Sequence, residues 1–145
     1  MPNQRRLYVG KQIDVSFDAA RCRHAQECVH GLRAVFDTER RPWIVPDAAD
    51  AGAVMEVVAR CPTGALRTHP RDLEPEVATR PTTVELVPGG PLLIRGDLDI
   101  EGDREFRAAL CCCGTTLNAP YCDGSGTCGG WPGPVSRPAQ RADSR

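Results

Sequence analysis

Residues 111–126 read Cys-Cys-Cys-Gly-Thr-Thr-Leu-Asn-Ala-Pro-Tyr-Cys-Asp-Gly-Ser-Gly, and the C-terminal half of the chain is organised around them. Adjacent cysteines cannot bridge each other without strain, so the triplet at 111–113 is poor material for a disulfide. Cys111 and Cys113 are two residues apart and point the same way from an extended segment. Soft thiolate clusters select zinc, Cu(I) or iron–sulfur centres. The stretch therefore predicts a metal site in which Cys111, Cys113 and the returning Cys122 are ligands.

The spacing over residues 111–125 is Cys-x-Cys-x2-Thr-x3-Pro-x-Cys-Asp-Gly-Ser. This segment resembles the CDGSH iron–sulfur domain of the mitoNEET type. The resemblance implies a [2Fe–2S] cluster held by three cysteines and one histidine. The histidine position is Gly126 here, and no histidine follows His69.

The motif therefore does not identify the fourth ligand of this site. Cys128, two residues past Gly126, and the Asp123 carboxylate are candidates, as is a water or small thiol. A zinc site is the alternative to a cluster, although zinc sites favour Cys-x2-Cys knuckles, which this segment lacks.

A second trio of cysteines lies in the N-terminal half. Bacterial-type ferredoxins use Cys-x2-Cys-x2-Cys with a remote cysteine followed by proline. Cys22 and Cys28 occupy the first and third places, Ala25 occupies the second, and Cys61 before Pro62 is the remote ligand. Three thiolates at this spacing hold three corners of a cubane-derived cluster. The alternatives are a [3Fe–4S] cluster, or a [4Fe–4S] cluster whose fourth iron binds water or His24.

Residues 5–69 resemble the divergent single-cluster ferredoxin domain family. The resemblance implies a compact ferredoxin-like α+β unit that binds an iron–sulfur cluster. The matching residues are Cys22-x-His24-Ala25-x2-Cys28, Val35-Phe36-Asp37, Arg41-Pro42-Trp43-Ile44 and Cys61-Pro62-x-Gly64-Ala65-Leu66.

Local patterns predict the elements of this half. They are a β-hairpin over 5–17 in which Leu7, Val9, Ile13, Val15 and Phe17 alternate with polar residues, a short helix over 29–32, a strand over 41–46 between two prolines, a helix over 51–60 capped by Asp47 or Asp50 and ended by Pro62, and a final strand after the turn at 63–66.

The chain divides at the charged, Pro-rich residues 70–81, which show no apolar period. We expect a ferredoxin-like domain over 1–69, a linker over 70–81, a small β-rich CDGSH-type domain over 82–131 and a disordered tail over 132–145. The second domain has three predicted strands, around Val84–Leu86, Leu92–Ile100 and Phe106–Leu110. So small a sheet makes a weak core and needs a metal or a partner subunit. The fold class is α+β.

Composition and charge argue against several classes of function. A net charge of −1 predicts no general attraction to nucleic acid or anionic lipid. The first residues lack the apolar run of a signal peptide, and no stretch has the length to cross a bilayer. Eight cysteines kept for metal then favour a cytoplasmic protein. No nucleophile, general base or phosphate loop stands out, so we expect no enzyme.

The sequence predicts an iron–sulfur protein acting in electron transfer or in redox or iron sensing. The alternatives are a module that stores or transfers clusters, and a zinc-stabilised interaction domain. A redox partner protein of unknown identity is expected, and the CDGSH resemblance makes a homodimer a candidate assembly.

Overall fold

The structure, a computed structural model, describes residues 5–23 and 25–123. His24, Cys128 and the predicted disordered tail 132–145 lie outside this part of the chain. The described residues form two three-stranded antiparallel sheets and two short α-helices, which confirms the α+β class. The elements are β1 (Arg6–Tyr8), β2 (Ile13–Phe17), α1 (Glu27–Gly31), α2 (Ala51–Val58), β3 (Leu66–Pro70), β4 (Thr83–Leu86), β5 (Leu92–Ile100) and β6 (Asp103–Leu110), with a 3-10 turn at Pro46–Ala48. Neither described helix has the length and hydrophobicity needed to span a membrane.

The first sheet has the order β1-β2-β3 and contains the predicted hairpin. Its register pairs Tyr8 with Val15. Residues directly opposite each other share a face of the sheet, so Tyr8 faces the core with Val15. Leu7 and Val9 are correspondingly 53% and 66% exposed.

Helix α2 packs against this sheet as its apolar period predicts. Asp50 is the N-cap, and its carboxylate accepts a hydrogen bond from the Gly52 N–H at 3.0 Å. Val54, Val57 and Val58 are buried. The helix ends at Val58, two residues earlier than predicted. Tighter turn bonds then continue the chain to Cys61.

The predicted strand over 41–46 is wrong. A single bridge between Phe36 and Ile44 stands in its place. Pro42 and Pro46 have no N–H to donate to a ladder. The Arg40 guanidinium instead binds backbone carbonyl oxygens of the loop, including that of Val35 at 2.8 Å. The other short element, the helix predicted over 29–32, begins two residues earlier as α1.

The apolar core lies between the first sheet and α2. Phe17, Trp43 and the thiol-bearing Cys28 and Cys61 pack against its edge. Its buried members are Tyr8, Ile13, Val15, Val35, Phe36, Ile44, Ala51, Val54, Val57, Val58 and Leu66.

The second sheet has the order β4-β5-β6, with an irregularity between Arg95 and Leu98. Strand β6 begins at Asp103, three residues before the predicted start. The apolar cluster of this sheet consists of buried Ala109 and Cys122, with Leu93 and Cys113 packed against them. The sheet is therefore present as predicted, and its core is small.

Candidate metal centres

The N-terminal trio converges on one cavity. Cys22 follows the turn after β2, Cys28 lies in α1, and Cys61 follows α2. All three line a mostly apolar cavity of about 30 Å³. Phe17, Trp43, Ala25 and Leu66 complete much of its wall. The fold thus brings the three predicted ligands together, with Ala25 beside them.

The thiols in this cavity differ in acidity. Burial, with the nearby Cys61 and Cys22 thiols, raises the pKa of Cys28 to about 12. Burial acts in the same direction on Cys61. There it is outweighed by the Thr63 hydroxyl at 3.6 Å, backbone N–H groups and the charge of Arg107, which hold the Cys61 pKa below its ordinary value. Metal ligands must be deprotonated. The surroundings of Cys61 therefore favour its deprotonated form, whereas burial opposes deprotonation of Cys28.

The segment between Cys22 and Cys28 is suited to receive a cluster. Gln26 has a φ of 65°, a value that is strained for a residue other than glycine and is common at ligand-binding loops. The cavity volume of about 30 Å³ is room for about two water molecules, less than a cluster requires. Helix α1 has no fully buried residue, and only Cys28 and Val29 pack partly against the core, so the cavity can widen at the cost of these partial contacts. The donors and their apolar surroundings fit an iron–sulfur cluster.

The C-terminal trio is organised by strand β6. Residues 120–122 return beside the end of this strand. The Cys111 N–H donates to the Pro120 carbonyl oxygen, and the Cys122 N–H donates to that of Ala109, both at 2.8 Å. Cys122 is buried, whereas Cys111 and Cys113 are half-buried.

The Cys111 and Cys113 sulfurs are 3.6 Å apart. Two thiolates on one tetrahedral ion with metal–sulfur bonds of about 2.3 Å lie about 3.7 Å apart. The Gly114 N–H donates to Cys111 Sγ at 3.2 Å. Gly114 has a φ of 81°, a conformation that favours glycine. A backbone amide therefore approaches one ligand sulfur directly. This pair has the geometry to bind one iron, and Cys113 packs against the apolar cluster that contains Cys122.

Of the candidate fourth ligands from the protein at this site, the structure describes Asp123 only. The Asp123 carboxylate accepts a hydrogen bond from the Leu117 N–H at 2.8 Å, which closes the loop that carries Cys122. Cys128 and Gly126 lie outside the described residues, as His24 does for the N-terminal site. Cys112, between the two ligand positions, is exposed.

Over residues 5–23 and 25–123, no three His, Cys, Asp or Glu side chains form a complete group around one ion position. No disulfide joins the seven cysteines in these ranges. The ligands of a multi-iron cluster bind different iron atoms. Each trio can therefore serve a cluster without meeting at a single point.

Two threonines were missed by sequence reasoning. The Thr115 hydroxyl lies 3.2 Å from Cys113 Sγ, just as Thr63 lies beside Cys61. Hydrogen bonds to ligand sulfur tune a cluster. The signal was available in the sequence, because both sites contain Cys-x-Thr.

Buried charges join the two halves of the molecule. We call this contact the seam and define it by Arg21, Arg67, Arg95, Glu105 and Arg107. Glu105 of β6 pairs with Arg21 at 3.0 Å and Arg67 at 3.3 Å. Arg95 of β5 donates to the Ala59 carbonyl oxygen at 2.8 Å, at the end of α2.

A groove of about 730 Å³ runs along the seam, beside the loop over residues 117–121. Charges of both signs line this groove, four arginines (Arg5, Arg21, Arg67 and Arg104) and five acids (Asp18, Glu101, Asp103, Glu105 and Asp123). Burial and the neighbouring Arg21 and Arg67 lower the pKa of Arg5 to about 10.

Comparison with known proteins identifies both halves. Residues 8–70 match the family described as divergent 4Fe-4S mono-cluster. The uncharacterized protein YjdI of Escherichia coli K12 and its counterpart in E. coli O157:H7 are each 45% identical to the chain over 62 residues, which is 43% of this chain and 82% of the relative. The chain belongs to the divergent 4Fe-4S mono-cluster family. Residues 89–125 of this family member match the iron-binding zinc finger of CDGSH type. No solved structure matches the chain significantly.

Both resemblances drawn from the sequence are confirmed. This member of the divergent mono-cluster family carries two iron–sulfur-binding domains in series. Its first domain contains the Cys22, Cys28 and Cys61 cavity, and its second contains the 111–123 loop.

Proposed function

We propose that the chain holds one cluster in each domain and acts in one-electron transfer or in redox or iron sensing. The N-terminal cluster is [3Fe–4S] or [4Fe–4S], held by Cys22, Cys28 and Cys61. The C-terminal cluster is [2Fe–2S], held by Cys111, Cys113 and Cys122. The observation that carries the proposal is the convergence of Cys61, from beyond α2, on the cavity of Cys22 and Cys28.

A bound cluster supplies one-electron chemistry, and the chain supplies its surroundings. Phe17 and Trp43, whose ring centroids are 5.0 Å apart, cover the N-terminal cavity and exclude water. Burial and hydrogen bonds to sulfur set the reduction potential of such centres. Thr63 at one site and Gly114 and Thr115 at the other supply those hydrogen bonds.

We place electron exchange with a redox partner protein at the C-terminal site, because the loop that carries its ligands reaches the surface. Cys111 and Cys113 are half-buried, and Leu117 of the same loop is 91% exposed. A short path through protein to the partner requires this kind of exposure. A cytoplasmic location, a homodimeric assembly and the lack of catalytic activity belong to the same proposal.

Cluster storage or transfer is the second candidate function. It is favoured by Gly126 in the place of the family histidine, and by the accessibility of Cys111 and Cys113. A cluster that lacks one protein ligand exchanges more readily than a fully ligated one.

The test is anaerobic purification of the full chain, with iron and sulfide counts followed by redox titration. We expect about five or six iron atoms per chain, depending on the N-terminal cluster type. Electron paramagnetic resonance of the oxidised protein distinguishes a paramagnetic [3Fe–4S] cluster from a diamagnetic [4Fe–4S] one.

Reversible reduction without loss of iron supports electron transfer or sensing. Delivery of the cluster to an apo-acceptor, without a reversible redox couple, supports the transfer role instead. A colourless preparation that contains zinc and no sulfide would overturn both.

A further inference from the structure

Arg21 lies where the ligand segments of the two sites meet. It immediately precedes Cys22 and is only 4% exposed. Its guanidinium carbon stands 4.0 Å from the centroid of the Tyr121 ring, and Tyr121 immediately precedes Cys122. Arginine stacks on aromatic faces, and the attraction is stronger when both groups are desolvated. One side chain therefore connects a ligand segment of the first domain to a ligand segment of the second.

The same guanidinium holds the third ligand segment of the N-terminal site. Its Nη2 donates to the Thr63 carbonyl oxygen at 2.7 Å, two residues beyond Cys61. It also donates to the carbonyl oxygen of Arg107 at 3.3 Å, and Nη1 donates to Glu105 at 3.0 Å. A buried, hydrogen-bonded charge network of this kind rigidifies the groups that it connects.

Arg107 makes the reciprocal connection from the second domain. Its guanidinium donates to the carbonyl oxygen of Cys61 at 3.0 Å and to that of Val58. It also pairs with Glu76, in the predicted linker over residues 70–81, at 3.0 Å. The peptide of one N-terminal ligand is thus held by strand β6, the strand that leads directly into Cys111.

The two domains approach closely at this point because residue 64 is glycine. A Cβ on Gly64 would lie 2.4 Å from the Arg107 carbonyl oxygen and 2.7 Å from Arg21 Nη2. The contact leaves little freedom for one ligand segment to move without the other.

We propose that Arg21 is a positioning residue that couples the two sites, so that filling or emptying one changes the stability and reduction potential of the cluster in the other. The inference rests on the proposed function, because it requires clusters at both sites. The coupling is reciprocal, since linked binding equilibria affect each other equally. Arg21 acts through the backbone segments that it holds, not by ligating a cluster.

The test is a double-mutant cycle on the full chain, loaded anaerobically with iron and sulfide. Cys113→Ser removes a ligand of the C-terminal cluster, and Arg21→Lys keeps the charge but loses the planar fork that stacks and donates. The readouts are the reduction potential of the N-terminal cluster, followed by its paramagnetic resonance signal, and its rate of loss to a chelator. Arg33→Lys, at an exposed arginine of the first domain, is the matched control.

In the otherwise unaltered chain, we expect Cys113→Ser to shift the reduction equilibrium of the N-terminal cluster about tenfold, which is about 59 mV for one electron. In the Arg21→Lys background, the shift should fall below about twofold, the usual limit for independent sites. The Arg33→Lys background should retain the tenfold shift.

A second pair of variants keeps every cysteine and tests the ring contact. Tyr121→Leu removes the aromatic face and should shift the N-terminal potential in the same direction as Arg21→Lys. Tyr121→Phe keeps the face and should restore the original potential. A merely structural role for Tyr121 would not separate these variants by potential while both clusters remain bound.

Two results would overturn the inference while leaving the proposed function intact. One is two clusters whose properties are independent, with no effect of Cys113→Ser on the N-terminal potential. The other is an equal shift in the presence and absence of Arg21, which would show direct electrostatic interaction between the clusters. Failure of the proposed function is a separate result, namely the absence of iron and sulfide from the unaltered chain.

Discussion

The two domains differ in what holds them together. The first buries eleven apolar side chains between its sheet and α2. The second has a sheet of longer strands but buries only Ala109 and Cys122 in its apolar cluster. Since apolar burial is the main favourable term in folding, the first domain can sustain its fold with its own side chains.

The second domain relies on two other sources of stability. Cys122, which is buried with Ala108 and Ala109, is a predicted cluster ligand, so a cluster bound there would contribute directly to folding. The other source is the seam, where the charges on the inner face of β6 meet partners from the first domain. The first domain can therefore fold without its cluster, whereas in the second domain the cluster would form part of the core.

Removal of iron should give the largest difference in stability between the two domains. After chelation, we expect the amides of β5 and β6 to exchange hydrogen at least about a hundredfold faster, whereas β2 and α2 keep their protection. Cys122→Ser should reproduce this pattern, and Cys112→Ser, at an exposed cysteine, should not. Hydrogen exchange followed by mass spectrometry measures both. Equal loss of protection in the two domains would refute the comparison.

A cavity-forming substitution in the core of the first domain tests how far that core stabilises the fold. Ile13 is 1% exposed, and Ile13→Ala should lower the free energy of unfolding by about 3 kcal/mol. Val84 of the second sheet is 61% exposed. Val84→Ala should therefore change the free energy of unfolding by only about 0.5 kcal/mol or less. Urea unfolding followed by circular dichroism gives both values. Similar costs for the two variants would show that the second sheet has an apolar core after all.

Gly64→Ala tests the contribution of the seam. Its φ of +75° is strained for alanine, and its Cβ would overlap backbone of β6. Gly89→Ala is the matched control, because Gly89 has a φ of +71° and nothing within 4 Å. We expect Gly64→Ala to cost about 2 kcal/mol more than Gly89→Ala in thermal or urea unfolding, the cost of overpacking. Equal costs would mean that the two domains separate easily here.

The smallest expected effect concerns the contact between the predicted linker, residues 70–81, and the first domain. Asp14 accepts hydrogen bonds from Arg71, the shorter at 2.9 Å. Burial raises the Asp14 pKa, but Arg71 and the Gly10 N–H outweigh it and hold that pKa below its ordinary value. A lowered carboxyl pKa stabilises the fold above about pH 4, and the contribution is lost as pH falls through the folded value.

Asp14→Asn should therefore cost about 0.5 kcal/mol at pH 7 and nothing near pH 2. Asp72→Asn, at an exposed neighbour of Arg71, is the control and should have no effect at either pH. Urea titrations at the two pH values measure the difference. A cost that persists in acid would assign the effect to packing and not to charge.

Much of the first domain follows from local sequence. The hairpin, the Asp50 cap and the apolar face of α2 depend on residues near each other in the chain. The convergence of Cys22, Cys28 and Cys61 followed from ligand spacing alone. The strand over 41–46 failed because prolines and the Arg40 side chain satisfy the backbone there in another way, which strand periodicity does not detect.

The seam was not predictable from the sequence. In β6, period-two alternation places Glu105 and Arg107 on one face and Phe106, Ala108 and Leu110 on the other. Charged residues on one face of a strand usually indicate the solvent side. In this protein that face is buried, since Glu105 is 5% and Arg107 2% exposed. Arg21 lies 84 residues from Glu105 in the chain, and the Leu66 carbonyl that Arg107 binds lies 41 residues from it. Such separations are beyond the reach of any local pattern.

Strand β4 has a consequence for handling the protein. It forms one edge of the second sheet, and all four of its residues are exposed, with Leu86 at 70%. An open edge with apolar side chains is a template for intermolecular strand pairing, and a charge placed within it opposes such pairing. Glu85 is the one charged residue in this strand. Concentrated solutions of the protein should accordingly aggregate through this edge, and Glu85→Ala should increase the aggregation.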